Sequence, residues 1–194
     1  MNRRAFAPLV LAVIFTAGTL FAASNDWQID PNHTTIGFTV RHMGISNVHG
    51  RFQKVSGTAV IDDSDITKSS VNATMEVASV DTGVNMRDND LRSANYFDAQ
   101  QYPTITFKST SVSKSDSGLK ITGDLTIHGV TKQVTLDVDG PSAPVKMGPN
   151  MRRGLSATTT INRKDFGVGA KTPSAAVGEQ IKIQLDVEVT QKAE

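Results

Sequence analysis

From Ile181 to Thr190 the chain alternates without a break, Ile181, Ile183, Leu185, Val187 and Val189 against Lys182, Gln184, Asp186, Glu188 and Thr190. Side chains on a strand point to opposite faces with period two, whereas a helix repeats every 3.6 residues or so, so this run predicts a strand with one dry and one wet face. The same rule organises most of the chain. Val71, Ala73, Met75 and Val77 alternate with Asn72, Thr74 and Glu76, and Ile36, Phe38, Val40 and His42 with Thr35, Gly37, Thr39 and Arg41. Leu119, Ile121, Leu125 and Ile127 share one phase around Gly123, Val134, Leu136 and Val138 share another, and Ile105 and Phe107 a third. Weaker strands read at Arg51 to Ile61 and at Leu155 to Ile161. The sum is about eight strands.

Turn residues separate them. Asp62-Asp63-Ser64-Asp65, Ser115-Asp116-Ser117-Gly118 and His128-Gly129 are hairpin punctuation, and Pro141 to Pro149 reads as a longer loop. Two places read as helical: Asp88 to Asn95, with Asp88 as N-cap, and a single turn at Arg163 to Gly167. Eight half-apolar strands must hide their dry faces, either as two packed sheets or as a closed barrel, and closure also removes exposed edges. The alternation by itself does not choose between them.

The first 22 residues do not follow the strand pattern. Arg3 and Arg4 precede an almost uninterrupted apolar run from Ala5 to Ala17, and Ala22 and Ala23 are small residues suited to cleavage. That is the layout of a secretory signal peptide, and its run is shorter than the roughly 20 residues a spanning helix needs. The expectation is a signal peptide over 1–22, cleaved near Ala22 or Ala23, and one exported domain over 23–194. Removing it takes away two positive charges and no acid from a chain whose formal net charge is +1. A near-neutral domain with no basic stripe has no general attraction for nucleic acid or for an anionic membrane, and no later stretch predicts stable membrane insertion. The chain has no cysteine, which excludes disulfides and thiolate chemistry. His33, His42, His49 and His128 show no metal-ligand spacing, and neither a nucleophile elbow nor a phosphate-binding loop occurs, so no metal, cofactor or catalytic residue is expected.

Several blocks are distinctive in order and content. The run from Trp27 to Phe52, WQIDPNHTTIGFTVRHMGISNVHGRF, resembles the start of the YceI family, as do RDNDLRSANYFD from Arg87 to Asp98 and YPTITF from Tyr102 to Phe107. ITGDLTIHGVTKQVTL from Ile121 to Leu136 and INRKDFGV from Ile161 to Val168 are similar to later family motifs. The resemblance implies an all-β fold, an eight-stranded antiparallel lipocalin-like barrel with one or two short helices, in the bacterial periplasm. It also implies a bound polyisoprenoid or other long amphiphilic lipid inside the barrel, and it admits a homodimer.

Such a site needs an apolar lining and polar groups at its mouth. The expected lining is Ile36, Phe38, Val40, Phe52, Met75, Val77, Phe97, Phe107, Leu125, Ile183 and Leu185, against the alternative of an ordinary filled core. The expected head-group partners are Arg41, His42, Arg87, Asp88, Arg92 and Arg163, because arginine can hold a phosphate bidentately. The alternative for each arginine is a structural ion pair, such as Arg87 or Arg92 with Asp98. His42 continues the phase of Ile36, Phe38 and Val40, and so is expected to cap the pocket or pair inside it. The functional expectation is a carrier or sequestering protein for an apolar or amphiphilic small molecule. The alternatives are an enzyme using His42 and Asp88 as acid and base, or a structural protein with a filled barrel.

Overall fold

The computed structural model describes residues 26–116 and 118–193. The expected signal peptide lies outside the described residues. The strands are β1 (Asp26–Ile29), β2 (Thr35–His42), β3 (Ser46–Phe52), β4 (Val55–Val60), β5 (Ser70–Glu76), β6 (Val80–Asp81), β7 (Thr104–Ser115), β8 (Gly118–Ile127), β9 (Val130–Asp139), β10 (Val145–Met147), β11 (Asn150–Asn162) and β12 (Val177–Lys192). One α-helix, α1 (Asn85–Arg92), and three 3-10 turns complete the described elements.

These twelve segments make the eight expected staves. β1 and β2 lie end to end along one edge of β12. β3 and β4 follow them as one interrupted partner, and β6 and β5 in turn follow β3 and β4. β9 and β10 share one edge of β11. Every pairing is antiparallel, and β11 closes the barrel by pairing with β12 from Asn150↔Lys192 to Asn162↔Gln180. Closure satisfies the backbone ladder all round and leaves one apolar phase of each stave facing inward. One end of the barrel, the cap end, carries the β2–β3 turn, α1 and the 163–176 segment. The other end carries the 61–69 and 140–149 segments.

The interruptions explain where the strand reading ran too long. The expected strand from Arg51 to Ile61 breaks at Gln53 and Lys54. Their amides bond the carbonyl and hydroxyl oxygens of Ser79, in the 3-10 turn Val77–Ser79, at 3.1 Å each, and not a continuous strand. Asp62 to Asp65 is not a tight hairpin turn: Asp62 Oδ1 accepts from Ser64 N and Asp65 N, and Asp65 caps the 3-10 turn Ile66–Lys68 by accepting from Thr67 N. Within the expected Pro141–Pro149 loop, Val145–Met147 pairs with β11. The helix sits three residues earlier than expected. Val84 is its N-cap, and Asp88 lies inside it, where Oδ1 accepts from Thr82 N at 2.9 Å and Thr82 Oγ1 at 2.5 Å. The Asp88 side chain ties α1 back to the segment before it, so it is not free to start the helix. The turn at Arg163 is found as Arg163–Phe166, ended by Gly167 in the left-handed region at φ +74°.

Candidate functional site

The barrel encloses a cavity of about 240 Å³ whose wall is contributed by every stave and reaches from Ile61, Ile66 and Pro141 at one end to Leu91, Phe97 and Phe166 at the cap end. Its lining is aliphatic and aromatic apart from Ser69, Ser70, Thr159, the hydroxyl of Tyr96 and Arg163. The strands build this directly: inward side chains alternate with outward ones, so the same residues that the alternation marks as dry must converge on the axis. A filled interior would bury them all. Instead Ile36, Phe38, Val40, Ile181, Ile183, Leu185 and Val187 remain half-buried although they face inward, while Ile105, Phe107, Leu125, Leu136 and Val138 across the barrel are buried.

Two glycines help keep the space open. A Cβ on Gly50 would fall 2.3 Å from Phe38 Cζ, and one on Gly123 would fall 2.5 Å from Phe107 Cζ. The missing side chains let both rings lie against the wall rather than across the axis. Phe38, Phe52 and Phe97 then form an aromatic run, with ring centroids 5.9 Å and 5.7 Å apart in succession.

Of the expected lining, Ile36, Phe38, Val40, Phe52, Met75, Phe97, Phe107, Leu125, Ile183 and Leu185 stand on the cavity wall. Val77 does not. The strand ends at Glu76, Val77 starts a 3-10 turn with its amide bonded to Pro103 O, and its side chain is buried in the core away from the cavity. Tyr96 and Phe166 line the cavity but were not expected to: both lie outside strands, where period two assigns no inward face. Ala157 was missed because a small residue on a weak strand carries little pattern.

The expected polar partners are mostly committed elsewhere. Arg163 reaches the wall, but its Nε donates to Gly178 O, Nη1 to Val168 O and Gly169 O, and Nη2 to Thr172 O and Val177 O, all within 2.5–3.0 Å. All five guanidinium donors are used, so it holds the 163–178 backbone and has none left for a head group. Arg92 donates to Ala78 O at 2.8 Å and Val80 O at 2.7 Å, and Arg87 to Thr82 Oγ1 and Thr82 O. These arginines pair with carbonyls and a hydroxyl, not with Asp98. Asp88 is buried against Thr82. Arg41 bonds Asn47, and His42 is exposed where the hairpin runs past the barrel rim, so its side chain does not cap the pocket.

Beside Arg163, Glu179 accepts from Ser174, Lys164 and Asn162, and those bonds, the one from Ser174 foremost, hold its carboxyl down to about 2. At the other end Arg153, itself buried, makes a bidentate pair with Asp63 at 2.7 and 2.6 Å and lies 5.1 Å from the Trp27 ring centre, which fastens the 61–69 segment to the barrel. Asp30, His33 and Glu188 come within 4.8 Å of one another, but Arg152 bonds both carboxylates and His33 bonds Asp30. The hydrogen bond from His33 is the main cause of a lowered Asp30 carboxyl. No helix among the described residues is long and apolar enough to cross a membrane.

With this geometry in hand, comparison with known proteins is specific. The protein named YceI of Escherichia coli O6:H1 is 36% identical over 183 residues, covering 93% of this chain and 94% of its own. The crystal structure of the Campylobacter jejuni YCEI protein superposes with a TM-score of 0.71 at 31% identity, covering 79% of this chain and 90% of that one. A polyisoprenoid binding domain from Saccharophagus degradans, implicated in plant cell wall breakdown, shares the fold at a TM-score of 0.63 and 16% identity, covering 87% and 98%. The model of the YceI-like domain matches residues 27–189, and the chain therefore belongs to the YceI-like family.

Proposed function

We propose that this chain is an exported, periplasmic carrier that holds one long apolar or amphiphilic molecule along the barrel axis, of the polyisoprenoid or fatty-acyl class, for transport, storage or sequestration. The observation that carries this reading is the cavity itself, lined almost wholly by hydrocarbon and left open by half-buried inward residues. Its shape favours a chain. Ten-residue strands such as β8 rise ~33 Å, and a tilt near 40° leaves about 25 Å along the axis. Each methylene taken from water contributes ~0.8 kcal/mol, so twenty carbons give ~16 kcal/mol before the costs of association and ordering, enough for micromolar to nanomolar capture without a strong polar anchor. The commitment of Arg87, Arg92 and Arg163 to backbone carbonyls fits binding that rests on the tail. The same fold binds polyisoprenoid in the Saccharophagus degradans domain.

The test is direct. Protein recovered after expression of the full chain is weighed by native mass spectrometry, then extracted into organic solvent and the extract identified by mass. The carrier reading expects a long-chain species released on denaturation, or uptake of an added long-chain fluorescent fatty acid. A bare polypeptide that also takes up no such probe would remove it.

A further inference from the structure

Four of the six large apolar side chains left exposed among the described residues stand at the cap end: Met43 at 60%, Ile45 at 78%, Val84 at 44% and Met86 at 81%. They come from two segments at the same end of the barrel. Met43 and Ile45 form the β2–β3 turn. After β6 pairs with Arg51 and Phe52, the chain continues beside β3 toward that turn, with the Thr82 methyl against Gly50, and then enters α1 through Val84. The 163–176 segment borders the same turn, through a 2.9 Å bond from Met43 N to Ala176 O.

Along the inward face of the β2–β3 hairpin, Phe52 is buried, Ile36, Phe38, Val40 and Val48 are half-buried, and only His42 and Ser46, at the rim, are exposed. The cavity-wall residues next to the hairpin, Leu91, Tyr96, Phe97, Val177 and Ile181, are also half-buried, whereas Ile127, Ile161 and Phe166 across the same end are buried. The cavity wall thus grades into the exposed apolar tips on the hairpin and α1 side. Arg41 and Lys171, both exposed at this end, carry no ion pair among the described residues. The exposed carboxylates here are Asp90, which accepts from Asn95 and Ser93, and Asp165.

We infer that this rim is a docking surface for a lipid bilayer, set at the mouth through which the cavity loads. The inference rests on the carrier reading, because a twenty-carbon chain is held by a membrane and not by water. Projecting apolar tips on two separate segments, flanked by cations able to meet lipid phosphates, match an interfacial anchor. Such tips sink into the acyl boundary while the barrel stays outside, which is peripheral contact and not insertion.

The test uses vesicles of phosphatidylethanolamine and phosphatidylglycerol and a variant carrying Met43→Asn, Ile45→Asn and Met86→Glu. None of the three should harm folding: Met43 already has φ +50°, which asparagine tolerates better, and glutamate suits the first turn of α1. Both proteins come from the same full-length chain, so whatever residues 1–25 add is common to them. Co-sedimentation is expected to fall at least about tenfold in the variant, since each tip alone loses apolar contact worth about that factor. Uptake of a fluorescent fatty acid in vesicle-free solution is expected to stay as in the wild type. Equal co-sedimentation, or no vesicle binding by the wild type, overturns the docking surface. So does light scattering that shows a wild-type dimer split by the substitutions, because the rim would then belong to a second copy. Failure of both proteins to take up the probe, with vesicle binding still lost in the variant, rejects the carrier reading and leaves the docking surface standing.

Discussion

Arg163→Lys separates a head-group clamp from a structural nail. The wild-type guanidinium sits 3% exposed and serves five backbone carbonyls, those of Val168, Gly169, Thr172, Val177 and Gly178. Lysine keeps the charge but offers three donors from one point, so at least two carbonyls lose their partner. A buried polar group left unpaired costs about 1–3 kcal/mol, which puts the loss near 4 kcal/mol. For a domain of this size that lowers Tm by roughly 8–16 °C, and a domain stable by about 5–15 kcal/mol still folds at room temperature. Urea denaturation followed by tryptophan fluorescence measures the change, with Trp27 as the reporter, since it is buried at the far end of the barrel. A variant within about 1 kcal/mol of wild type but with weakened lipid capture would refute the structural assignment and return Arg163 to the ligand.

Other consequences are open to simple measurement. Gly50→Ala places a methyl where the Phe38 ring now lies, so the ring must swing toward the axis; the expected cost is about 1–3 kcal/mol in chemical denaturation, together with weaker uptake of a long-chain fluorescent probe. Ile183→Trp adds bulk to a half-buried cavity wall, and should lower probe capacity while leaving the midpoint of denaturation within about 1.5 kcal/mol of wild type. The folded-state carboxyl of Glu179 titrates about 2, below its ordinary 4.5, so its stabilisation is complete above the unfolded value and is lost as pH falls toward the folded one. Asp30, Asp62, Asp65 and Asp81 are lowered as well, so Tm should drop as pH falls below the ordinary carboxylate range, and Glu179→Gln should flatten part of that acid limb.

The barrel was legible because its rule is local. Ile181 to Thr190 and Ile36 to Val40 declare an inward face with no knowledge of their neighbours, and those faces become the cavity wall. What defeated the reading was contact between distant segments. Nothing local says that Ser79 will intercept the amides of Gln53 and Lys54, so the break between β3 and β4 and the exit of Val77 from its strand could not be foreseen. The same limit applies to charge. Arg87, Arg92 and Arg163 read as phosphate ligands by residue type, but most of their partners are backbone carbonyls, which every sequence contains and no motif marks. His42 misled for a third reason: its phase is inward, but the hairpin has outrun the barrel by that point. Hollowness itself had only a faint signature, two inward glycines opposite phenylalanines.

The seam between β11 and β12 decides when the barrel can enclose a cavity at all. β12, the last strand among the described residues, bonds β11 on one edge and β2 followed by β1 on the other. Until its sixteen residues are present, the earliest and latest staves have nothing between them, and the apolar faces belong to an open, curled ribbon. Long-range pairing of this kind delays closure until β12 is available. Without β12 the barrel has no closed wall, so shape, closure and the enclosed cavity arrive together.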